Sequence, residues 1–316
     1  MRALVTGGAG FIGSNLVDAL VARGDDVTVI DDLSSGKREN LTGALSLGAK
    51  LVEADIRDAA AVRAAFDAAS PQLVFHLAAQ VDVRKSLEDP ALDAQINVVG
   101  TINVLDAARE HGVHRFVNTS TGGAIYGETD VMPTPETVLP QPMAAYGQSK
   151  HAAELYCGLM HRLYGLPTVT LRYGNVFGPR QDPHGEAGVI AIFAGRLLDG
   201  DAPVIFGDGT QTRDYTFVSD IVAANLAAAE HPSASGAYNV GTGVESSVLD
   251  VLDALRAAAG LPAGEFQPEF KPARLGELER SSLDISRARD ELGFTADTRL
   301  EAGMDAVLEA LRAQRG

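Results

Sequence analysis

The fold of this chain is decided near its beginning, where residues 2–13 read RALVTGGAGFIG. A short apolar strand leads into three glycines spaced G-x-x-G-x-x-G, and a helix follows at once. In such a unit Gly7 permits a tight turn, Gly10 lets the backbone approach a pyrophosphate, and Gly13 allows the helix to pack closely on the strand. The free N–H groups and partial positive charge of the helix N-terminus favour a phosphate. The stretch therefore predicts a strand–turn–helix unit that binds a dinucleotide.

The end of the second predicted strand indicates which dinucleotide binds. Asp31 and Asp32 close this strand. A carboxylate there accepts hydrogen bonds from both adenosine ribose hydroxyls and repels a 2′-phosphate. Lys37 and Arg38 follow closely and are the cations that could rescue such a phosphate. Because two acids come first, the sequence favours NAD over NADP.

Short apolar runs alternate with amphipathic stretches through the first half of the chain. The predicted strands are Arg2–Val5, Asp26–Ile30, Lys50–Glu53, Leu73–Phe75, Arg115–Asn118 and Thr168–Leu171. The predicted helices lie near Phe11–Ala22, Ala59–Ala68, Ala91–His111 and Tyr146–Tyr164. Strands that are apolar on both faces are typical of a buried parallel sheet. The alternation predicts an α/β fold with a doubly wound parallel (Rossmann) sheet.

The pattern becomes irregular after about Gly174, which suggests a second domain. Turn signals at Gly178-Pro179 and at residues 182–185 mark a long loop, and loops of this kind are usually functional. After this loop the sequence predicts more helices than strands. We therefore expect residues 1–174 to form an NAD-binding Rossmann domain. Residues 175–316 are expected to form a smaller, mixed α/β domain for the substrate, with the chain crossing between the two.

Composition excludes several classes of protein. The 316 residues are 46% hydrophobic, too many for a disordered chain, and the net charge of −16 excludes the broad basic face that nucleic acid requires. No apolar run approaches the ~20 residues of a membrane helix, and the N-terminus lacks a signal-peptide pattern. The single cysteine, Cys157, is expected to be a packed thiol, and a cytoplasmic location is predicted. No cluster has metal-ligand spacing, so no metal is expected.

Tyr146 and Lys150 lie four residues apart in AYGQSK and so share one helix face. A free phenol has a pKa of about 10 and is a poor base at neutral pH. A neighbouring ammonium, together with the positive nicotinamide of bound NAD⁺, is expected to lower the pKa of Tyr146. The phenolate would then remove the proton of a substrate hydroxyl while a hydride leaves the same carbon. The alternative is a surface helix with an incidental tyrosine and lysine, and the glycine motif upstream argues against it.

Four segments taken together carry a family resemblance: TGGAGFIG at 6–13, HLAAQ at 76–80, YGQSK at 146–150 and NVFGPRQ at 175–181. They resemble the extended short-chain dehydrogenase/reductase family and, within it, the NAD-dependent nucleotide-sugar 4-epimerases. The resemblance covers essentially the whole chain. It implies that NAD stays bound, that a hydride leaves C4 of the sugar, and that it returns to the opposite face of the 4-keto sugar. The implied substrates are UDP-glucose and UDP-galactose.

The resemblance also implies contacts with NAD at the ends of the first strands. The pyrophosphate positions are Gly7, Gly10, Phe11, Ile12 and Gly13. The adenosine positions are Asp31, Asp32, Ser34, Ser35, Asp55 and Ile56. The remaining cofactor positions are Leu77, Ala78, Ala79, Gln80, Asn97, Thr119, Tyr146, Lys150 and Tyr173. His76 is expected to be a buried, hydrogen-bonded histidine rather than an acid–base group.

In the family a serine or threonine after the fifth strand binds the reacting C4 hydroxyl. We assign this catalytic role to Thr121, beside Tyr146 and Lys150, with Ser120 as the competing assignment. The chain departs from the commoner pattern here, because Gly122 and Gly123 include one extra glycine. Two glycines remove side chains and are expected to widen the sugar pocket, although they could instead merely relax a turn.

The resemblance implies a substrate site for UDP and its sugar. Its predicted members are Arg84, Thr121, Asn175, Val189, Val204, Phe206, Arg213, Arg274 and Glu277. The strand around Val204 and Phe206 would be the uracil slot, the arginines at 213 and 274 would bind the diphosphate, and Glu277 would bind the uridine ribose. UDP-glucuronate is the alternative substrate. Its carboxylate would need a cation such as Arg84 or Arg196, or backbone donors at 121–123.

Particular residues argue against other activities known for this fold. Sugar 4,6-dehydratases carry an Asp-Glu pair where this chain has Gly122-Gly123. A reductase that exchanges NADPH conflicts with Asp31, and a non-enzymatic NAD sensor would be expected to lack Tyr146 or Lys150. Family members usually dimerise through two long helices, here near Ala91–His111 and Tyr146–Tyr164, so a homodimer is expected.

Overall fold

The structure is a computed structural model that describes residues 1–183, 188–262, 264–273 and 278–315. The larger strands are β1 (Arg2–Thr6), β2 (Asp26–Asp31), β3 (Lys50–Glu53), β4 (Leu73–His76), β5 (Arg115–Thr121) and β6 (Thr168–Tyr173). They are followed by β7 (Asn175–Phe177), β8 (Val204–Phe206), β9 (Thr212–Arg213), β10 (Tyr215–Phe217), β11 (Gly236–Val240), β12 (Ser246–Ser247) and β13 (Glu269–Lys271).

Helices cover the sheet and build most of the C-terminal part. The first group is α1 (Phe11–Ala22), α2 (Thr42–Ser46), α3 (Ala59–Ala69), α4 (Val83–Glu88), α5 (Pro90–Ala94), α6 (Thr101–Glu110) and α7 (Gly122–Ile125). The second group is α8 (Ala145–Tyr164), α9 (Val189–Asp199), α10 (Val218–Glu230), α11 (Val248–Ala258), α12 (Ser286–Leu292) and α13 (Leu300–Arg315). None of the helices in the described ranges is long and apolar enough to cross a membrane.

Seven strands of the described chain form one parallel sheet in the order β11-β6-β5-β4-β1-β2-β3. The chain moves outward from β1 through β2 to β3, then returns to the other side of β1 with β4. This reversal confirms the predicted doubly wound fold. It also opens a crevice at the carboxyl ends of β1 and β4, which is where such sheets bind ligands.

Each face of the sheet has its own apolar layer. On one face, side chains such as Leu16 of α1 pack with Ile221 of α10. On the other, Phe66 of α3, Leu105 of α6 and Cys157 of α8 pack together. The thiol is packed as predicted, and burial raises its pKa to about 12. The thiol is therefore protonated and unreactive at neutral pH, because reaction requires the thiolate.

The C-terminal part has a third apolar cluster. It joins α9, α11 and α13 through side chains such as Phe193, Leu252 and Leu308. Within the described residues after Gly174, seven short strands accompany five helices, so the expected excess of helices is wrong. These strands have two to five residues and form mostly two-stranded ladders, too short to give a readable alternation. The strand β11 and the helix α10 return to the large sheet.

The helix predicted over Ala91–His111 is interrupted. A π-helical turn, Gln95–Gly100, separates α5 from α6. A Cβ atom on Gly100 would lie 2.6 Å from Ile56 Cδ1, so the backbone packs directly on that side chain. The turn also buries Asn97. Single π-helical turns often occur at functional sites.

Candidate active site

The loop after β1 has the geometry that its glycines predict. Gly7 has φ +69°, and its N–H donates to the Ile30 carbonyl at 2.8 Å. A Cβ on Gly13 would lie 2.1 Å from the Gly7 carbonyl oxygen, which no side chain tolerates. A Cβ on Gly10 would approach only the Gly7 oxygen, at 3.2 Å, so its other side faces open space. The loop therefore packs tightly against the helix at Gly13 and leaves open space beside Gly10.

The N-terminus of α1 is available for an anion. No side chain caps it, and its first turn contains no acid. The first helical hydrogen bond runs from the Ser14 N–H to the Gly10 carbonyl at 3.0 Å, so the N–H groups of Phe11, Ile12 and Gly13 precede the helical ladder. These three groups and the helix dipole suit a pyrophosphate.

Asp31 joins the end of β2 to this loop. Its Oδ2 accepts from the Ala9 N–H and its Oδ1 from the Leu33 N–H, both at 2.9 Å. Burial raises the pKa of Asp31, and the two backbone donors partly offset that effect. Each carboxylate oxygen retains a lone pair, so Asp31 can accept two ribose hydroxyls as well.

The other residues predicted to contact the adenosine are mostly exposed or half-buried. Asp32 accepts from the Ser34 hydroxyl at 2.6 Å, and Ser35 is exposed beside them. Asp55 pairs with Arg57 at 2.5 Å, which lowers the pKa of Asp55. Ile56 is buried.

The three cations near this end of the sheet all pair with carboxylates. Lys37 lies 3.3 Å from Asp182, and Arg38 pairs with Glu53. Arg57 is held by its own carboxylate partner. A 2′-phosphate would have to compete for each of these cations.

The segment after β4 reaches the crevice from the other side of β1. A Cβ on Gly7 would lie 2.6 Å from the Ala78 nitrogen, which shows how closely the two loops approach. The Leu77 N–H donates to the Thr6 carbonyl at 3.1 Å. Ala79 and Gln80 follow and are partly exposed to the crevice. The Gln80 N–H donates to Asn97 Oδ1 at 2.9 Å, which ties this segment to the π-helical turn.

His76 is buried and hydrogen-bonded, as predicted. Its Nδ1 lies 2.7 Å from Thr6 Oγ1 and its Nε2 lies 2.9 Å from Thr101 Oγ1. The Thr101 hydroxyl donates to the Asn97 carbonyl, so it accepts from His76 and the proton is assigned to Nε2. Burial, with a smaller effect of Lys150, lowers the pKa of His76 to about 3. The ring is therefore neutral and links the two sides of the crevice.

Thr121, Tyr146 and Lys150 meet at the same edge of the sheet. Thr121 ends β5, and its hydroxyl hydrogen-bonds to the Tyr146 side chain. Lys150 lies one turn further along α8 and is buried. Burial lowers the pKa of Lys150 to about 8, opposed by the charges of Glu154 and Asp93.

The predicted lowering of the Tyr146 pKa includes the positive charge of bound nicotinamide, and in the protein without NAD this pKa is raised. Burial raises it to about 12, the hydrogen bond to Thr121 opposes this rise, and the charge of Asp93 adds to it. The sequence argument counted the ammonium of Lys150 but not the loss of water around the phenol. Desolvation disfavours the phenolate and outweighs the other effects here.

The structure separates the two candidates for the C4 hydroxyl partner. Thr121 faces Tyr146, whereas the Ser120 hydroxyl is buried without a hydrogen-bond partner among the described residues. The two glycines that follow do different things. A Cβ on Gly122 would lie 2.5 Å from the Leu283 side chain, so this residue packs in the interior. A Cβ on Gly123 would meet only the Asn175 side chain, at 3.1 Å. Only the second glycine lies beside a predicted substrate residue.

The side chains of Thr119 and Tyr173 form a hydrogen bond at the ends of β5 and β6. Their hydroxyl oxygens are 3.1 Å apart, and the Tyr173 hydroxyl also accepts from Asn225 Nδ2 at 2.6 Å. Burial raises the pKa of Tyr173 to about 12. In the β5–β6 register Tyr173 pairs with Thr121, the residue predicted to bind the C4 hydroxyl.

The predicted substrate residues lie on several C-terminal elements and are only partly brought together. Val204 and Phe206 lie on β8, which pairs with β13. Arg213 lies on β9, half-buried, and its guanidinium donates to the Thr212 carbonyl at 2.8 Å. Val189 begins α9, and Asn175 begins β7, where its N–H donates to the Asp214 carbonyl. Arg84 is exposed on α4. Arg274 and Glu277 lie outside the described residues.

Two features near the site carry no sequence signal. Asp93 is buried on α5 and binds the side chains of Gln80 and Asn97. Asp214 is buried beside β9 and accepts from the N–H groups of Thr242, Gly243 and Leu283. A lone aspartate in a helix or loop looks like a surface residue in sequence, and only the fold shows what surrounds it.

Comparison with known proteins agrees with this geometry. The chain is 47% identical over 315 residues to UDP-glucose 4-epimerase of Mycolicibacterium smegmatis, with 99% of each chain covered. A crystal structure of UDP-glucose 4-epimerase with UDP-glucose from Thermotoga maritima has a TM-score of 0.95 and 44% identity, covering 100% of both chains. UDP-glucose 4-epimerase of Thermus thermophilus in complex with NAD has a TM-score of 0.88 and 44% identity, covering 99% of both. Residues 3–241 match the NAD dependent epimerase/dehydratase family. The chain therefore belongs to the NAD dependent epimerase/dehydratase family.

Proposed function

We propose that the protein is an NAD-dependent isomerase that interconverts UDP-glucose and UDP-galactose by epimerisation at C4. The observation that carries the proposal is the meeting of Thr121, Tyr146 and Lys150 at the crevice where the glycine loop and Asp31 also lie. The relatives in Mycolicibacterium, Thermotoga and Thermus, named as UDP-glucose 4-epimerases, support it.

The residues of the crevice fit NAD. Gly10 leaves open space above an uncapped helix N-terminus, which suits the pyrophosphate. Asp31 keeps a free lone pair on each oxygen for the adenosine ribose. The neighbouring cations Lys37, Arg38 and Arg57 are engaged by carboxylates, which disfavours the 2′-phosphate of NADP. When bound, NAD supplies a reversible acceptor for the hydride at C4 of the sugar.

Side chains of the protein transfer the proton of the C4 hydroxyl. Tyr146 removes that proton and later returns it, and Thr121 holds the sugar oxygen by a hydrogen bond. Lys150 must be an ammonium for this to work, because the buried phenol ionises only with a positive charge nearby. The 4-keto sugar must present its other face before the hydrogen returns, and at Gly123, beside Asn175, no side chain of residue 123 opposes this turn.

A neutral hexose is favoured over UDP-glucuronate. Arg196, one of the two candidate cations for a sugar carboxylate, donates to the Ala202 carbonyl at 2.9 Å, just beyond the end of its own helix. Arg84 is exposed on α4. The carboxylate would thus depend on one surface cation and backbone donors.

We further propose that residues 175–316 supply the nucleotide-sugar site.

Incubation with each sugar nucleotide tests the proposal. The purified protein, loaded with NAD, is given UDP-galactose or UDP-glucuronate, and the products are separated by chromatography. We expect UDP-glucose from UDP-galactose and no product from UDP-glucuronate. Conversion of UDP-glucuronate alone would overturn the assigned sugar.

Substitutions at the site test the assigned roles. Tyr146→Phe is expected to abolish turnover while NAD remains bound, because only the hydroxyl is removed. Thr121→Val is expected to lower kcat by about 10²-fold or more, the usual contribution of a positioned proton-transfer group. Ser120→Ala is the matched control and should keep wild-type activity. Near-normal turnover in Tyr146→Phe, or loss in Ser120→Ala alone, would refute these roles.

A homodimer in the cytoplasm is part of the proposal. The outer surface of α8 exposes Leu155 and Leu163, 61% and 63% accessible, and the neighbouring π-helical turn exposes Val99. Exposed aliphatic side chains clustered on one surface are typical of protein interfaces. Light scattering at micromolar protein should give twice the mass of one chain, and a single-chain mass would contradict the dimer.

A further inference from the structure

Asp93 is a buried carboxylate that the proposed chemistry does not use. It lies on α5 and is 1% exposed. Its Oδ1 accepts from Gln80 Nε2 and Asn97 Nδ2, each at 3.0 Å, but its Oδ2 has no hydrogen-bond partner among the described residues. Burying a carboxylate with one oxygen unsatisfied costs stability, so such a group usually has a functional reason.

Asp93 completes a closed set of hydrogen bonds behind the crevice. The Gln80 N–H donates to Asn97 Oδ1, and Asn97 Nδ2 donates to the Gln80 carbonyl, both at 2.9 Å. The carboxylate of Asp93 is the acceptor that both amide side chains share. It therefore fixes the segment after β4, whose Ala78 lies against Gly7 of the glycine loop. Losing the shared acceptor would remove one hydrogen bond from each amide, leaving Asn97 Nδ2 with the Gln80 carbonyl and Gln80 Nε2 with the Asp82 carbonyl.

The same carboxylate acts electrostatically on the catalytic helix. The helix α5 packs against α8, which carries Tyr146 and Lys150. The negative charge of Asp93 raises the pKa of both groups, after the larger effect of burial on each. In the described ranges Asp93 has no ion-pair partner, so its charge is not neutralised locally.

Glu154 raises the pKa of Lys150 more than Asp93 does, but of these two carboxylates only Asp93 also acts on Tyr146. Glu154 on α8 is clamped by Arg172 of β6, with an N–O distance of 2.6 Å. His76 on β4 is neutral because burial lowers its pKa to about 3. The thiol of Cys157 stays protonated, since burial raises its pKa to about 12.

The helix α4 also packs on α8. Its charged side chains point to the surface. Arg84 and Lys85 are exposed, and the nearest carboxylate to Lys85 is Asp82 at 4.0 Å. Glu88 is exposed at the end of the same helix. Solvent screens charges at such positions far more than a buried one.

Building on the proposed function, we infer that Asp93 is a positioning residue with two separable roles. Its Oδ1 holds Gln80 and Asn97 and so shapes the wall of the nicotinamide site. Its charge, buried where α5 packs on α8, adds to that of Glu154 in favouring the Lys150 ammonium and shifts the pH range in which Tyr146 and Lys150 work together.

Two substitutions separate these roles. Asp93→Asn keeps an oxygen that can accept from both amides but removes the charge. Both limbs of the pH profile of kcat/KM should then move to lower pH by roughly half a unit or more, because a phenolate forms more easily and an ammonium is lost more easily without a nearby negative charge. Its affinity for NAD should stay within about twofold of wild type, since the hydrogen bonds remain.

Asp93→Ala removes both the charge and the acceptor. The same shift of the pH profile is expected, together with a roughly tenfold weaker binding of NAD to the cofactor-free protein, measured by isothermal titration calorimetry. Glu88→Gln is the matched control, because it makes the same change of formal charge on an exposed position. It should leave both measurements unchanged.

Each outcome decides one role. An unshifted pH profile in Asp93→Asn would overturn the electrostatic role, and unchanged NAD affinity in Asp93→Ala would overturn the positioning role. If Asp93→Ala does not fold, the pH profile of Asp93→Asn still decides the electrostatic role, and an NAD affinity of Asp93→Asn more than twofold weaker than wild type would overturn the separation of the two roles. If the wild type epimerises no UDP-hexose, the proposed function fails, whereas the NAD titrations still test the positioning role.

Discussion

The ion pair between Glu154 and Arg172 is expected to be a major determinant of stability beneath the active site. The guanidinium donates to both carboxylate oxygens, at 3.0 Å and 2.6 Å, and also to the Tyr126 hydroxyl at 2.8 Å. The two side chains are only 7% and 8% exposed. Burial alone would lower the pKa of Arg172, but the hydrogen bonds and attraction of Glu154 outweigh it and raise the pKa. Arg172 is therefore a buried cation that depends on one carboxylate.

Glu154→Leu should lower the free energy of unfolding by roughly 3–5 kcal/mol, because it leaves that cation buried without its counter-charge. For a chain of 316 residues the unfolding entropy makes this a fall in Tm of about 5–8 °C. The double variant Glu154→Leu/Arg172→Met should recover most of the loss, since a buried ion pair replaced by apolar residues is often neutral in stability. Differential scanning calorimetry of the cofactor-free protein gives both values.

An exposed ion pair provides the control. Arg63 and Glu110 lie 3.3 Å apart with side chains 51% and 40% exposed, so Glu110→Gln should cost less than about 1 kcal/mol. A fall in Tm for Glu154→Leu that is no larger than for Glu110→Gln would refute the reasoning. So would a double variant whose loss equals the sum of the two single losses, because the side chains would then not interact.

Three further predictions concern the site itself, at Lys150, Gly13 and Gly10. Burial lowers the pKa of Lys150 to about 8, so below pH 8 the folded protein bears the full cost of the charge, and stability should rise as pH increases from 8 toward 10.5. Lys150→Met should therefore be inactive but more stable than wild type at pH 7, by on the order of 3 kcal/mol, and the difference should shrink above pH 10 in thermal melts. Gly13→Ala should fail to fold stably, because its Cβ would meet the Gly7 carbonyl at 2.1 Å. Gly10→Ala should fold but bind NAD at least tenfold more weakly by calorimetry, because a methyl group fills the space for the pyrophosphate.

Contrary results for Lys150→Met and Gly10→Ala would refute the reasoning behind each. A Lys150→Met protein that melts below wild type at pH 7 would mean that the ammonium is stabilised rather than strained by its surroundings. Equal NAD affinity of Gly10→Ala and wild type would place the pyrophosphate away from the loop. A thermal melt of Gly10→Ala close to wild type is the control that its fold is intact.

Much of the fold and part of the site are local in the sequence and were predictable. Parallel strands buried on both faces leave short apolar runs, and β1 to β6 each fall on such a run. The interruption of the long helix at Gln95–Gly100 was not predictable, because it depends on the contact of Gly100 with Ile56. The short strands after Gly174 were also missed, since two or three residues cannot show alternation.

The sequence by itself determined the glycine turn, the acid at Asp31 and the spacing of Tyr146 and Lys150, because each depends on residues within one turn or one helix. Only the tertiary structure shows that the Thr121 hydroxyl hydrogen-bonds to Tyr146 while the Ser120 hydroxyl has no partner among the described residues, since neighbouring residues of a strand point to opposite faces. It alone also decided the direction of the Tyr146 pKa and the position of Asp93 behind the crevice. Desolvation and Coulomb interactions depend on what other parts of the chain bring near a group, and a motif of adjacent residues does not contain that information.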